Sequence, residues 1–142
     1  MTKNVLKSAI FAGVLTALAG AAPTKAEVLI TVNMSTQTMH VESASGVYDW
    51  KVSTARAGYV TPRGAYKPIR LERMHYSKKY DNAPMPNSIF FHGGYAIHAT
   101  ADIAHFGRPA SLGSVRLSPE NAKALYEMVQ REGARISIEG AS

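Results

Sequence analysis

The sequence predicts a mainly β domain, of the β-rich α+β class, with one principal helix near its C-terminal end. Short segments in which apolar and polar residues alternate begin at Val28, and this alternation is typical of half-buried strands. Glycine, asparagine and serine separate these segments, as expected for turns. The clearest helix runs from Ser118 to Gly133, where helical spacing coincides with start and stop signals.

The first 26 residues have the layout of a secretory signal peptide. Lysines at the start precede an uncharged apolar run from Ala9 to Ala22, and small residues follow at the positions that a signal peptidase reads. Cleavage is predicted after Ala26, because cleavage after Ala22 would place Pro23 at the cleaved bond. An uncleaved anchor is the alternative, although the run is shorter than the ~20 residues that span a bilayer.

Residues 27–142 are predicted to form one domain, since they are enough for one hydrophobic core and too few for two. The sequence has no cysteine, so an exported domain would depend on its core rather than on disulfides. Without the three lysines of the leader, the net charge falls from +6 to +3. This modest charge gives no reason to expect a nucleic-acid partner.

Three predicted strands open the domain. Val28, Ile30 and Val32 form one apolar face, residues 38–42 continue as a second strand, and residues 47–53 alternate again. Turn residues separate the three segments. Consecutive short strands joined by tight turns predict an antiparallel meander.

The middle of the chain is predicted to alternate between turns, loops and strands. Residues 61–64 read Thr-Pro-Arg-Gly, which fits a type I turn, and residues 65–71 follow as a strand. Residues 81–87 are predicted to be a loop, because two nearby prolines argue against a helix or a central strand. Residues 88–91 and 95–98 are predicted to be short apolar strands around a Gly-Gly turn.

The helix has clear boundaries in the sequence. Ser118 is a favourable N-cap, Pro119 suits the first helical position, and Gly133 is a typical stop. The apolar residues at helical spacing are Ala122, Leu125, Tyr126 and Val129. Residues 135–139 alternate again and predict a final strand.

A basic group precedes the predicted loop, and it has two interpretations. Its members are Arg70, Arg73, Lys78 and Lys79. A solvated charged face is the favoured interpretation. The alternative is a specific site for an anion.

The segments around His98 and Ser114 carry the chemistry. An apolar strand ends at His98, and a loop of mostly small residues returns the chain to Ser111–Ser114, a layout suited to placing a base beside a nucleophile. Gly113 permits a tight backbone, so the amides around it are candidates for an oxyanion site. The alternative is a structural histidine and an ordinary turn serine.

These two segments resemble the active-site signature of the L,D-transpeptidase catalytic domain. In that family an Ile-His-Gly-Thr segment precedes a Ser-His-Gly-Cys segment. The matching residues here are Ile97-His98-Ala99-Thr100 and Ser111-Leu112-Gly113-Ser114. Ser114 therefore stands where the family has its nucleophilic cysteine, and Leu112 stands where it has a histidine.

The resemblance implies a β-sandwich or mixed sheet over essentially the whole exported chain, and it implies roles for single residues. His98 would be the catalytic base, and Ser111 and Gly113 would shape the loop. Arg116 would bind a substrate carboxylate or brace the loop, and Thr100 would contribute to substrate binding. Ala99 replaces the usual glycine and is expected to add a side chain near the cleft floor.

The replacement of cysteine by serine is chemically large. A thiol with a pKa of about 8.5 carries some thiolate near neutral pH, whereas a serine hydroxyl needs an oriented base during attack. A site shaped for sulfur also holds oxygen farther from its target, and a misplacement of about 1 Å can cost on the order of 100-fold. Leu112 removes a second polar group from the same signature.

Three functional hypotheses remain open. The first is a catalytically impaired L,D-transpeptidase-like protein, exported to the periplasm or cell wall, that binds peptidoglycan stem peptides as a binding or regulatory module. The second is a slow acyl transferase or hydrolase that uses a Ser114–His98 dyad. The third is a purely structural envelope protein. No cofactor is predicted, and no permanent membrane span is expected.

A metal site is a weak alternative. His92, His98 and His105 are the candidate ligands, but the chain contains no His-Glu-x-x-His spacing. The two Gly residues after His92 would also have to lie within an unbroken strand. The sequence therefore favours a metal-free site.

Overall fold

The computed structural model describes residues 26–141. The predicted leader, apart from Ala26, lies outside these residues. Among the described residues, no helix has the length and apolar character that crossing a membrane would require.

Nine strands and one α-helix make up the described chain, which confirms the predicted fold class. In order they are β1 (Val28–Asn33), β2 (Thr38–Ser43), β3 (Gly46–Lys51), β4 (Gly64–Tyr66), β5 (Arg70–Ser77), β6 (Ala83–His92), β7 (Tyr95–Ala99), β8 (Val115–Leu117), α1 (Pro119–Glu132) and β9 (Ala134–Glu139). Short 3-10 helices at Lys78–Tyr80 and Ile103–His105 complete the chain.

The first sheet has the strand order β3-β2-β1-β9-β4. β1, β2 and β3 pair antiparallel, with Ile30 opposite Val41 and Val41 opposite Tyr48, so the predicted meander is confirmed. The final strand β9 pairs parallel with β1. Val28, Ile30 and Val32 are buried, as the alternation of apolar residues predicts.

The second sheet has the order β5-β6-β7-β8, and the hydrophobic core lies between the two sheets and α1. The helix packs against β6 and β7. The Ser118 side chain accepts a hydrogen bond from the Asn121 amide, Pro119 begins the helix and Gly133 ends it. Both predicted helix boundaries are therefore confirmed.

The predicted turn at residues 61–64 is wrong, and the single strand predicted at residues 65–71 is instead divided between β4 and β5. The backbone at residues 61–63 has no hydrogen-bonded turn, and Gly64 already begins β4. Pro68 then separates β4 from β5, because it has no amide to donate to a ladder. The two strands belong to different sheets, so this segment carries the chain from one sheet to the other.

The predicted loop at residues 81–87 is also wrong, since β6 includes Pro84 and Pro86. Pro84 pairs with Tyr76 and Pro86 with Met74 on β5, whereas β7 pairs with β6 from Ile89 onward. The stretch with the prolines therefore has one free edge. Two prolines two residues apart turn their nitrogens to the same edge, so no ladder hydrogen bond is lost.

Candidate active-site cleft

The alternation of side chains on the second sheet separates a core face from a cleft face. On β7, Ile97 and Ala99 belong to the hydrophobic core, so His98 between them points to the opposite face. On β8, Val115 is buried in the core, which turns its neighbours towards the same opposite face. The predicted site residues therefore come together on one side of the sheet.

A cleft of about 750 Å³ opens on this face. Its floor includes His98 and Ser114, and its opposite wall is formed by the far end of the β5–β6 hairpin. The other predicted site residues that line it are Thr100, Ser111, Leu112 and Arg116. This volume suits a small peptide or a drug-sized ligand.

His98 is held as a neutral imidazole. Its Nδ1 lies 2.7 Å from the Ala99 carbonyl oxygen, and a carbonyl only accepts, so Nδ1 carries the proton and Nε2 has a free lone pair. Among the described residues, every buried side-chain nitrogen or oxygen has a hydrogen-bond partner. Nε2 of His98 has no hydrogen-bond partner, so it is not one of these buried atoms and is exposed to the cleft.

Burial lowers the pKa of His98 from 6.5 to about 4. Only 7% of the residue is exposed; the bond to Ala99 opposes the shift, and the nearby Arg116 and His75 side chains lower the pKa of His98 further. At neutral pH the imidazole is therefore unprotonated, which is the state that a general base requires.

This pKa predicts a loss of stability in acid. Between pH 6.5 and about 4 the unfolded chain binds a proton at His98 that the folded chain does not. The free energy of unfolding is therefore expected to fall as the pH falls through this range, by up to about 3 kcal/mol. Urea unfolding at pH 7.5 and pH 5 should register about 2 kcal/mol of this change, and His98→Gln should have a smaller pH dependence. Equal pH dependence in the two proteins would contradict the assignment.

The Ser114 hydroxyl is held by the backbone of β7 rather than by His98. Its Oγ accepts a hydrogen bond of 3.2 Å from the Ala96 amide. β7 and β8 pair in parallel with His98 opposite Arg116, so Ser114 is displaced from His98 by two residues, about 6–7 Å along the strand. The hydrogen bonds of residues 26–141 include none between the two side chains.

The loop before Ser114 is closed by the side chain of Ser111. The Ser111 Oγ donates to the Ser114 carbonyl over 2.6 Å and accepts from the Gly113 amide over 3.1 Å. The Gly113 amide is therefore bonded to Ser111 in this structure, and its use as an oxyanion donor stays a prediction. The Ser114 amide is the other candidate donor.

Gly113 is required at its position by both backbone and packing. Its φ is +139°, a conformation that favours glycine. A Cβ at this position would lie 2.5 Å from Cε1 of Tyr95 and 3.1 Å from the Val60 carbonyl oxygen. Tyr95 therefore packs directly against the loop that presents Ser114.

Thr61 is a supporting residue that the sequence analysis missed. Its hydroxyl is buried, donates to the Gly113 carbonyl over 2.7 Å and accepts from the Ala55 amide over 3.0 Å. Ser53 adds a second support, because its backbone forms a bridge with Arg116. The Thr-Pro-Arg-Gly signal was visible in the sequence, but its partner Gly113 lies 52 positions away.

Arg116 and Thr100 border the cleft, and both also have local structural contacts. The Arg116 Nη1 lies 3.5 Å from the Ala110 carbonyl, a long contact that leaves most of its donors free. The Thr100 hydroxyl accepts from the Asp102 amide over 3.2 Å. Their predicted roles in substrate binding stay predictions.

Ala99 lies beside the cleft and in the hydrophobic core at once. It is one of the lining residues of the cleft, but it is 2% exposed and belongs to the core. Because alternate side chains of a strand point to opposite faces, its methyl group points away from the face that carries His98. The side chain is therefore expected to fill core space rather than to narrow the approach to His98.

The three histidines of the metal hypothesis each contact a different partner. His92 is exposed on β6 and stacks with Tyr95 at 6.1 Å between ring centres, while the His105 Nδ1 lies 2.7 Å from the Asp102 carboxylate. Within residues 26–141 no group of three histidine or acidic side chains is placed to hold a metal ion.

Comparison with known proteins assigns this chain to a family. The model of the YkuD family, the L,D-transpeptidase catalytic domain, matches residues 27–138. An L,D-transpeptidase from Stackebrandtia nassauensis has a TM-score of 0.71 at 31% identity, covering 86% of this chain and 60% of its own. One from Mycobacterium smegmatis has a TM-score of 0.72 at 22% identity, covering 80% and 58%.

A third similar structure is L,D-transpeptidase 3 from Mycobacterium tuberculosis, solved with a faropenem-derived adduct. It has a TM-score of 0.68 at 18% identity, covering 79% of this chain and 60% of its own. The chain thus spans about three fifths of the length of these relatives. No curated protein sequence matches it. The family match over residues 27–138 nevertheless shows that the chain belongs to the L,D-transpeptidase catalytic-domain family.

Proposed function

We propose that the protein is exported to the periplasm or cell wall and binds peptidoglycan stem peptides there as a binding or regulatory module. Acyl transfer would be absent or strongly reduced. The cleft supports binding, since its volume of about 750 Å³ has room for a ligand and Leu112 adds an apolar contact. The family supports the ligand class, because its members act on peptidoglycan.

The hydrogen bond from the Ala96 amide to the Ser114 Oγ carries this proposal. It holds the hydroxyl on the strand edge without a bond to the imidazole of His98. The hydroxyl of such a serine is not ionised near neutral pH, and no base contacts its proton. The residue is therefore placed to contact a ligand and is poorly activated for attack.

A slow acyl transferase or hydrolase is the second candidate, and one observation favours it. The Nε2 of His98 is unprotonated and reaches the same cleft as Ser114. A rotation of the Ser114 side chain towards His98 would form a dyad when substrate binds, because hydrogen bonds at active sites often tighten only in the complex.

Two measurements on the full chain separate these functions. Calorimetry with a disaccharide tetrapeptide measures binding, and intact mass after incubation with faropenem measures acylation. We expect binding without an adduct. An adduct that disappears in Ser114→Ala but persists in Ser45→Ala, on the exposed β2–β3 turn, would refute the non-catalytic function and support the dyad.

A cleft variant tests whether the peptide occupies this site. Arg116→Gln is expected to weaken tetrapeptide binding, because the backbone of Arg116 keeps its bridge to Ser53 while the guanidinium is lost. Cosedimentation with isolated sacculi provides an independent readout. A protein that stays in the supernatant and gives no heat with the peptide would be a structural protein without affinity, contrary to the proposal.

A further inference from the structure

The second sheet ends in a long strand with a free edge. Within the described residues, β5 is eight residues long and pairs with β6 on one side alone. The other sheet edges are shorter: β3 has six residues, and β4 and β8 have three each. β8 is also bridged to Ser53. A long open edge is a template for pairing with a further strand.

The far end of the β5–β6 hairpin has two edges, and the sequence protects one of them. Pro84 and Pro86 lie on β6, where they have no amide to offer to an added strand. Residues 70–77 of β5 contain neither proline nor glycine. β5 is therefore the edge of this hairpin on which another strand can add.

Large apolar side chains flank this open edge. Met74 is 46% exposed and Tyr76 is 55% exposed. Their partners on β6 are apolar as well, because Met74 pairs with Pro86 and Tyr76 with Pro84, and directly opposed residues share a face of the sheet. The edge therefore favours a partner strand that is apolar at the matching positions.

A second copy of β5 meets this requirement in one antiparallel register. Backbone groups alternate between the two edges of a strand, so a two-fold axis between two copies of β5 passes beside a residue rather than between two residues. With the axis at His75, Met74 of each copy lies opposite Tyr76 of the other. A row across the joined sheets then consists of Pro86, Met74, Tyr76 and Pro84, all apolar.

Charge favours the same register. Glu72 lies three residues before His75 and Lys78 three residues after it, so each Glu72 would lie opposite Lys78 of the second copy. An axis at Arg73 would instead place two like charges opposite each other. An axis at the next residue would place Glu72 opposite a tyrosine. Opposite charges across two strands stabilise their pairing, whereas like charges weaken it.

We propose that two copies of this chain form a symmetric dimer through β5, which joins two four-stranded sheets into one sheet of eight strands. The two-fold axis of such an antiparallel pair is perpendicular to the sheet, so both clefts open on the same side. The dimer does not depend on the proposed function. If the clefts bind stem peptides, the dimer would hold a ligand with two stems more tightly than one with a single stem.

Sedimentation velocity of the full chain from about 1 to 200 μM tests the association. We expect a dimer with a Kd on the order of 10 μM, because one strand edge is smaller than a standard interface. Met74→Lys should raise the Kd at least about tenfold, because it places a charge in the apolar row. The matched control is Val47→Lys, since Val47 is 60% exposed on β3, the edge strand of the other sheet.

The control should dimerise as the natural chain does. A natural chain that stays monomeric at the highest concentration would overturn the inference. So would a dimer that Val47→Lys abolishes and Met74→Lys leaves unchanged, because it would assign the interface to the other sheet.

Disulfide trapping tests the register, because the sequence has no cysteine of its own. With the axis at His75, the Cα atoms of the two residues 75 lie about 5.5 Å apart, which suits a disulfide. His75→Cys should therefore form a covalent dimer under mild oxidation. In Arg73→Cys the two cysteines would be offset by four positions, about 13 Å, and should react much more slowly. Equal rates of dimer formation in the two variants would refute this register and with it the proposed interface.

Discussion

The Leu112→His/Ser114→Cys double variant is expected to form a covalent adduct with faropenem at least about 100-fold faster than the natural chain. The two substitutions restore the cysteine and the second histidine of the family signature and leave Ala99 as its remaining departure. His98 is already neutral and presents Nε2 to the cleft. A thiol at position 114 would supply a nucleophile that loses its proton near neutral pH.

Sulfur changes the reaction at this position for two physical reasons. A cysteine side chain is longer than serine, so its sulfur reaches farther into the cleft from the same Cα. A thiol also donates weakly and accepts weakly, so the hydrogen bond from the Ala96 amide that holds Ser114 would hold sulfur less firmly. Both effects bring the nucleophile closer to His98.

Intact mass measured over time gives the rate of adduct formation. The same double variant with His98→Gln is the control for the base, and it should react slowly although its thiol is present. Ser114→Cys alone separates the contribution of sulfur from that of the imidazole at position 112. A double variant that folds, as judged by circular dichroism, but forms no adduct would show that other parts of the cleft prevent acylation.

Local patterns predicted the elements whose partners lie nearby in the sequence. The alternation at Val28, Ile30 and Val32 predicts a strand with one buried face, and Ser118 and Gly133 mark both ends of the helix. The prolines of β6 misled the analysis for a physical reason. They exclude a strand bonded on both edges, whereas the far end of β6 has one free edge.

The candidate site was predicted in part. The motif predicts that His98 and Ser114 lie in one cleft, and they do. It does not predict the hydrogen bond between Ser111 and the Gly113 amide. That bond depends on the conformation of a loop rather than on residue type. The role of Thr61 as a support could not be predicted either, because a contact between residues 52 positions apart leaves no periodic signal in the sequence.

Gly113→Ala is expected to lower the free energy of unfolding by about 3–5 kcal/mol, because backbone strain and a steric clash act at the same residue. At φ +139° an alanine is strained in any surroundings, and its Cβ would lie 2.5 Å from the Tyr95 ring. The loop that carries Ser114 would have to move. Peptide binding should therefore fall together with stability.

Two further variants separate the causes of this loss in chemical denaturation. Gly58 also has a positive φ, +89°, but a Cβ there meets nothing within 4 Å, so Gly58→Ala should show backbone strain alone, about 1–3 kcal/mol. Tyr95→Ala removes the ring that the added methyl group at position 113 would strike. If the clash matters, Gly113→Ala should destabilise the Tyr95→Ala background less than the natural chain. Equal losses in both backgrounds would assign the effect to backbone strain and to the contact with the Val60 carbonyl oxygen, and would remove Tyr95 from the support of the cleft.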